Sequence, residues 1–218
     1  MTSYEHKVKN IYLWESWWRP GVNTIAYYEF NDNLEDSTEN NNDLSISSGT
    51  ASYQTVWNKK AFNINNDGTS TSYIEISQDL PTNLTVSVWC YFRQVTSSTY
   101  TKTLLRVQTA NALNARICAV PSRIYFWDNV DARIDNPTRN RRYYITMVRW
   151  NDWLYSYIDW SFIYKGQVAI QNIIYNLWWW TWTGKWDGML SELIIESKAR
   201  TAEEISEYYE TTKSNYWL

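Results

Sequence analysis

The sequence predicts an all-β protein: an antiparallel β-sandwich closed by a short C-terminal helix. Three observations predict it. From residue 25 onward, short β-rich segments follow one another, separated by clusters of Asn, Asp, Ser and Thr rather than by helices. One segment, 84–92, alternates along its length, with Leu84, Val86, Val88, Cys90 and Phe92 on one face and Thr85, Ser87, Trp89 and Tyr91 on the other. Helical spacing occurs with a start signal at the end of the chain. There Thr201 and Glu204 form a Thr-x-x-Glu capping box ahead of Ile205, Tyr208 and Tyr209.

Taken in order, residues 1–22 read as a small leader or adapter, an apolar run at Val8, Ile11, Tyr12 and Leu13 followed by a Trp-rich patch and the turn signal Arg19-Pro20-Gly21. Residues 23–218 are the sandwich. Strands are expected at 25–30, 73–76, 84–92, 103–108, 115–120, 123–126, 143–149, 154–158, 162–164 and 189–196, where β-branched and aromatic residues are bounded by turn formers. The stretch 31–43 carries Asn31, Asn33, Asn40, Asn41 and Asn42, too many asparagines for a regular element, and is expected as a long loop. Strand 84–92 should lie centrally in the core, and the last helix should lay one face on the sandwich. No internal repeat is evident.

Composition bounds the function. The chain has 218 residues, 44% apolar and 20% charged, which fits one domain with a short appendage and excludes a disordered or collagen-like chain. With 20 basic against 23 acidic residues it lacks the electrostatic footprint of a nucleic-acid binder. No window approaches the roughly 18 consecutive apolar residues of a membrane span, and the polar start shows no secretory signal. Cys90 and Cys118 each sit in an apolar run and read as buried reduced thiols.

Four blocks, in order, resemble the laminin-G-like and concanavalin-A-like lectin-glucanase jelly-roll domains. Residues 26–37, Ala-Tyr-Tyr-Glu-Phe-Asn-Asp-Asn-Leu-Glu-Asp-Ser, look like the family's aromatic strand with its Asp- and Asn-rich loop. Residues 84–89 look like its central Trp-bearing strand, 144–164 like its strand-turn-strand-hairpin-strand block, and 186–208 like its closing strand and capped helix. Two departures stand out: Ser191 and Glu192 occupy the family's Gly-x-x-Asp position, and Asp159-Trp160 stands where the hairpin expects Asp-Gly. The resemblance implies a jelly roll and carbohydrate or cell-surface binding. It also raises calcium, for which Asp32, Asp36, Asn40 and Asp43 are the candidate ligands; the same residues equally serve turn geometry in a solvated polar loop.

One pair of counts is abnormal. At the usual 7% or so, a chain of this length carries roughly 15 glycines, yet this one has 6 Gly and 15 Trp. Tryptophan recurs at expected turns: Trp127, Trp153, Trp160 and the run Trp178-Trp179-Trp180-Thr181-Trp182. Two readings follow. Either many of these positions are glycines encoded by UGA, with Trp89 and Trp186 kept as tryptophan, or all are tryptophans. In the second case Trp127, Trp178 and Trp180 are candidate platforms for pyranose rings.

Catalytic chemistry is not indicated. Retaining glycosidases on such a fold need two carboxylates about 5 Å apart, whereas Glu29, Asp32 and Glu35 are spaced by three along the chain and Glu192 and Glu196 have Ile194 between them. The single histidine, His6, lies in the leader, which removes a Ser-His-Asp triad. Arg139, Arg141 and Arg142 read as a solvated turn. The function expected is therefore a non-catalytic carbohydrate or cell-surface recognition module, on a virion or cell surface. Its partners would be a glycan or receptor, with a homo-oligomer or virion proteins as neighbours. The alternatives are a glycoside hydrolase or lyase on the same fold and a purely structural assembly domain.

Overall fold

Apolar alternation in this chain produces strands that are buried on both faces, because two different layers cover the main sheet. The computed structural model describes residues 21–48, 52–56, 59–65, 73–75, 77–79, 81–95, 102–108, 114–120, 123–126, 133–167, 174–176 and 186–216. The described strands are β1 (Thr24–Tyr28), β2 (Ser45–Ser48), β3 (Ser52–Val56), β4 (Lys59–Asn65), β5 (Tyr73–Glu75), β6 (Ser77–Asp79), β7 (Leu84–Val95), β8 (Lys102–Gln108), β9 (Asn114–Val120), β10 (Arg123–Phe126), β11 (Arg133–Asp135), β12 (Arg141–Trp150), β13 (Trp153–Ile158), β14 (Ser161–Gln167), β15 (Ile174–Asn176) and β16 (Trp186–Glu196). Helix α1 (Ala202–Thr212) and a 3-10 turn, Lys213–Asn215, follow.

The main sheet runs β14-β13-β12-β7-β16-β4-β3, with β1 also pairing with β16. All these pairings are antiparallel. Strand β16 is divided by an irregularity between Leu190 and Glu192; before it β16 pairs with β4, through Leu190 and Phe62, and after it with β1, through Leu193 and Tyr28. A second sheet runs β11-β10-β9-β8, and β15-β6 and β2-β5 form two-stranded pairs. The expected antiparallel β-sandwich with a C-terminal helix is the observed architecture.

The first core lies on one face of the main sheet. Leu84, Val86, Val88 and Cys90 of β7 meet Tyr143, Ile145 and Met147 of β12, Leu154 and Ile158 of β13, and Leu190, Leu193 and Ile195 of β16. Ile124 brings β10 of the smaller sheet to the same core. Cys90 is a buried free thiol, as expected, and burial pushes its pKa well up, which keeps it an inert hydrophobe. The side chain of Cys118 lies outside the described residues.

The other face of β7, which carries two hydroxyl residues, is buried too. Trp89, Thr85 and Ser87 are all essentially inaccessible. Trp89 joins Tyr144, Val148, Tyr157, Ile205, Tyr209 and Tyr216 in a second, aromatic core under α1. Ser87 and Thr146, directly opposite across the β7–β12 ladder, satisfy each other at 3.2 Å. The Thr85 hydroxyl donates to Lys198 O and accepts from Arg200 N–H, which pins the segment leading into the helix. Thr201 caps α1 in the expected reciprocal box with Glu204, an arrangement of about 1 kcal/mol.

Several expectations are corrected. Strand β1 stops at Tyr28; the expected strand end at Phe30 has φ 53°, and its ring is buried instead. The Arg139–Arg142 cluster is a solvated turn only at Arg139, which is exposed; pairing of β12 with β7 begins at Arg141, and Arg142 is fully buried, donating to Val56 O and lying over the Tyr216 ring. Strands β2, β3, β4, β6, β11 and β15 were not expected; all but the seven-residue β4, which buries Ala61 and Phe62, are three to five residues long. The adapter expected at residues 1–22 falls, but for its last two residues, outside the described residues, as do 127 and 177–185.

Candidate functional site

The Asn-rich loop 31–43 is built by hydrogen bonding of side chains to backbone. Asp36 is buried, and its carboxylate accepts from Tyr27 N–H, Thr38 N–H, the Thr38 hydroxyl and Asn42 N–H. Asp43 accepts from Asp36 N–H, and Asn40 donates through Nδ2 to the carbonyls of Thr24 and Ile25. Asp32 turns away to Lys60, 2.7 Å from its Nζ. The four candidate calcium ligands thus serve separate donors and acceptors. Among the described residues no group of three or more His, Cys, Asp or Glu side chains is placed to hold a metal ion.

The remaining candidate carboxylates are internal struts. Glu192 is buried and accepts from the hydroxyls of Tyr27 at 3.1 Å, Tyr216 at 2.7 Å and Tyr208. It thereby joins β1, β16 and the C-terminal helix. Glu196 pairs with Arg200 in a nearly inaccessible ion pair. Burial first, and the charge of Glu192 second, push the Tyr27, Tyr208 and Tyr216 hydroxyls well above the ordinary tyrosine range. The folded state therefore keeps protons that the unfolded chain loses above about pH 10. The stability these groups contribute is complete below about pH 10 and declines as pH rises beyond it. Chemical denaturation at a series of alkaline pH values is expected to show that decline, with little change between pH 8 and 9.

A concavity of mixed chemistry lies elsewhere, at one end of the β12–β13–β14 meander. It is an open cleft of about 420 Å³, within the range of small-ligand sites. Ile134, Pro137, Ile158 and Ile163 supply apolar lining; Asn136, Thr138, Arg141, Tyr143, Asp159 and Ser161 supply polar groups. Trp160 and Tyr209 complete the wall. Asp159 is the organising residue. Its N–H donates to Tyr144 O at 2.8 Å, and its Oδ1 accepts from Tyr144 N–H at 2.9 Å. Arg141 Nη2 donates to Oδ2, and the guanidinium lies 4.8 Å from the Tyr143 ring centroid. Burial raises the Asp159 carboxyl pKa, with the Tyr144 amide and the Arg141 charge working against that rise.

Of the sequence-derived site residues, the described ones, Asp32, Asp36, Asn40 and Asp43, do not line this cleft. Trp127, Trp178 and Trp180 are outside the described residues, and the four loop residues sit beside β1. The Arg141–Asp159 pair escaped the sequence reading although its signal was available. A two-residue hairpin at Asp159-Trp160 sets Asp159 opposite Tyr144, three residues along β12 from Arg141.

In fold the chain is similar to domain 4 of AbnA, a GH43 extracellular arabinanase from Geobacillus stearothermophilus, solved with arabinotriose. The TM-score is 0.63 at 20% identity, over 85% of this chain and 97% of that one. It is similar also to the botulinum neurotoxin serotype D binding domain, with a TM-score of 0.65 at 14% identity over 87% of this chain and 52% of that one. The binding domain of botulinum neurotoxin DC, in complex with rat synaptotagmin II, gives 0.67 at 13%, over 87% and 51%. The chain spans about half the length of those toxin domains, and at these identities the likeness establishes the fold. No protein-family model and no curated protein matches the chain. No described helix is long and apolar enough to cross a membrane.

Proposed function

We propose that the chain is a non-catalytic recognition module that binds an oligosaccharide, displayed outside the cell or on a virion surface. The observation that carries this is the cleft beside Asp159. A sugar presents C–H faces and a rim of hydroxyls, and the cleft offers Ile134, Pro137, Ile158 and Ile163 to the first and Arg141, Asn136 and Thr138 to the second. The laminin-G-like resemblance of the sequence supports this reading. So does the arabinotriose complex of the AbnA domain, and the toxin binding domains, one of them in complex with rat synaptotagmin II, support a recognition role. Asp159 is committed to the backbone of β12, which fits a scaffold role better than proton transfer.

The test is a broad glycan array followed by titration of the best ligand against Arg141→Met. The guanidinium is a charged donor, and its loss is expected to weaken binding about tenfold, with the thermal midpoint of the variant checked in parallel. An array without hits, or undiminished affinity in a folded Arg141→Met, would contradict the proposal. Turnover of the bound glycan would move the protein to the glycosidase class.

A further inference from the structure

Trp160 occupies a backbone conformation that tryptophan does not favour. Strands β13 and β14 pair Ile158 with Ser161, leaving a two-residue loop, and both loop residues are left-handed, with φ 47° at Asp159 and 65° at Trp160. Such hairpin turns take Asp or Asn followed by Gly, because glycine alone enters that region without a steric cost from Cβ. Asp159 is tolerated there; a bulky aromatic is an outlier.

Phe30 shows what an outlier of this kind ordinarily requires. It too has positive φ, but its ring is fully buried and stacked on Tyr28 and Phe62, at centroid distances of 6.2 and 5.9 Å, so packing imposes the conformation. Trp160 is 48% exposed, and no aromatic stack or cation contact holds its ring among the described residues. Trp150 and Trp153, which face each other across the ends of the β12–β13 hairpin, are likewise exposed. Neither has positive φ, so the turn-strain expectation for Trp153 is not met, and Trp153 carries the Lys165 ammonium 4.4 Å from its ring centroid, whereas Trp150 is set apart by its exposure. Trp89 is the opposite case: fully buried, with Tyr216 and Tyr209 stacked on it.

We infer that position 160 is glycine in the protein as its own cells make it, through a UGA codon read there as glycine. Position 150 shares that codon, and Trp89 is a true tryptophan encoded by UGG. The chain's 6 glycines and 15 tryptophans are then two sides of one substitution. In the native chain the cleft beside Asp159 has no indole wall, so this inference stands whether or not a glycan binds there.

Trypsin releases residues 150–165 as one peptide and 61–93 as another. Mass spectrometry of the protein isolated from its own source is expected to read glycine at positions 150 and 160 and tryptophan at 89. Tryptophan at 160 overturns the inference, and glycine at 89 overturns the structural criterion behind it. A recombinant comparison tests the conformational argument separately. Trp160→Gly is expected to raise the thermal midpoint by about 2–4 °C, and Trp160→Ala by distinctly less. An equal rise in both, or a fall with glycine, contradicts it.

Discussion

Replacing Trp89 with alanine is expected to destabilise the protein by about 3–5 kcal/mol, a large part of the 5–15 kcal/mol that typically holds a domain together. The indole sits at the centre of the second core, with ring centroids of Tyr216, Tyr144 and Tyr209 at 4.4, 5.1 and 5.7 Å. Its removal takes away the surface on which α1 and the following turn rest. The cavity cannot collapse easily, because β7 is fixed on both sides by ladders to β12 and β16. Urea titration followed by tyrosine fluorescence and circular dichroism would measure it. A loss below about 1 kcal/mol, of the size expected for an exposed side chain, would show that the helix does not depend on this core.

Glu192→Ala is expected to have the second largest effect, about 3 kcal/mol or more, because three tyrosine hydroxyls lose a charged acceptor inside the protein. Glu192→Gln separates the two contributions of the carboxylate. The amide oxygen still accepts, so the loss in neutral solution should be smaller. With the negative charge gone, Tyr27, Tyr208 and Tyr216 are less resistant to ionisation. Their folded pKa values then lie nearer the unfolded value, so the decline of stability above pH 10 becomes shallower in the variant. An alkaline decline as steep as that of the parent would show that burial alone, without Glu192, governs those hydroxyls.

Much of the sandwich was legible in the residues. The alternation 84–92, the aromatic strand 143–149 and the capping box at Thr201 are local patterns, and the structure places β7, β12 and α1 there. The hairpin at Asp159 was legible for the same reason. What the sequence did not reveal is set by contacts far apart in the chain. Thr85 and Ser87 look like solvent-facing residues until the segment around Lys198 and α1 is laid over them. Arg142 looks like part of a charged turn until Tyr216 and Val56 O meet it from 74 and 86 residues away. The Asp- and Asn-rich loop carried two readings, a cation site and turn geometry, and the amides bound by Asp36 belong to the second. The cleft went unseen because it combines Asn136, Arg141 and Asp159, each of which has an ordinary turn or strand-end reading on its own.

An oligosaccharide seated in the proposed cleft beside Asp159 would register in NMR mapping of backbone amide shifts while the best array glycan is titrated into the labelled protein. Shifts concentrated at residues 134–143 and 158–163, saturating with a single affinity, are the expected result. Shifts centred on the 31–43 loop, or no saturable shifts with any glycan, would contradict it.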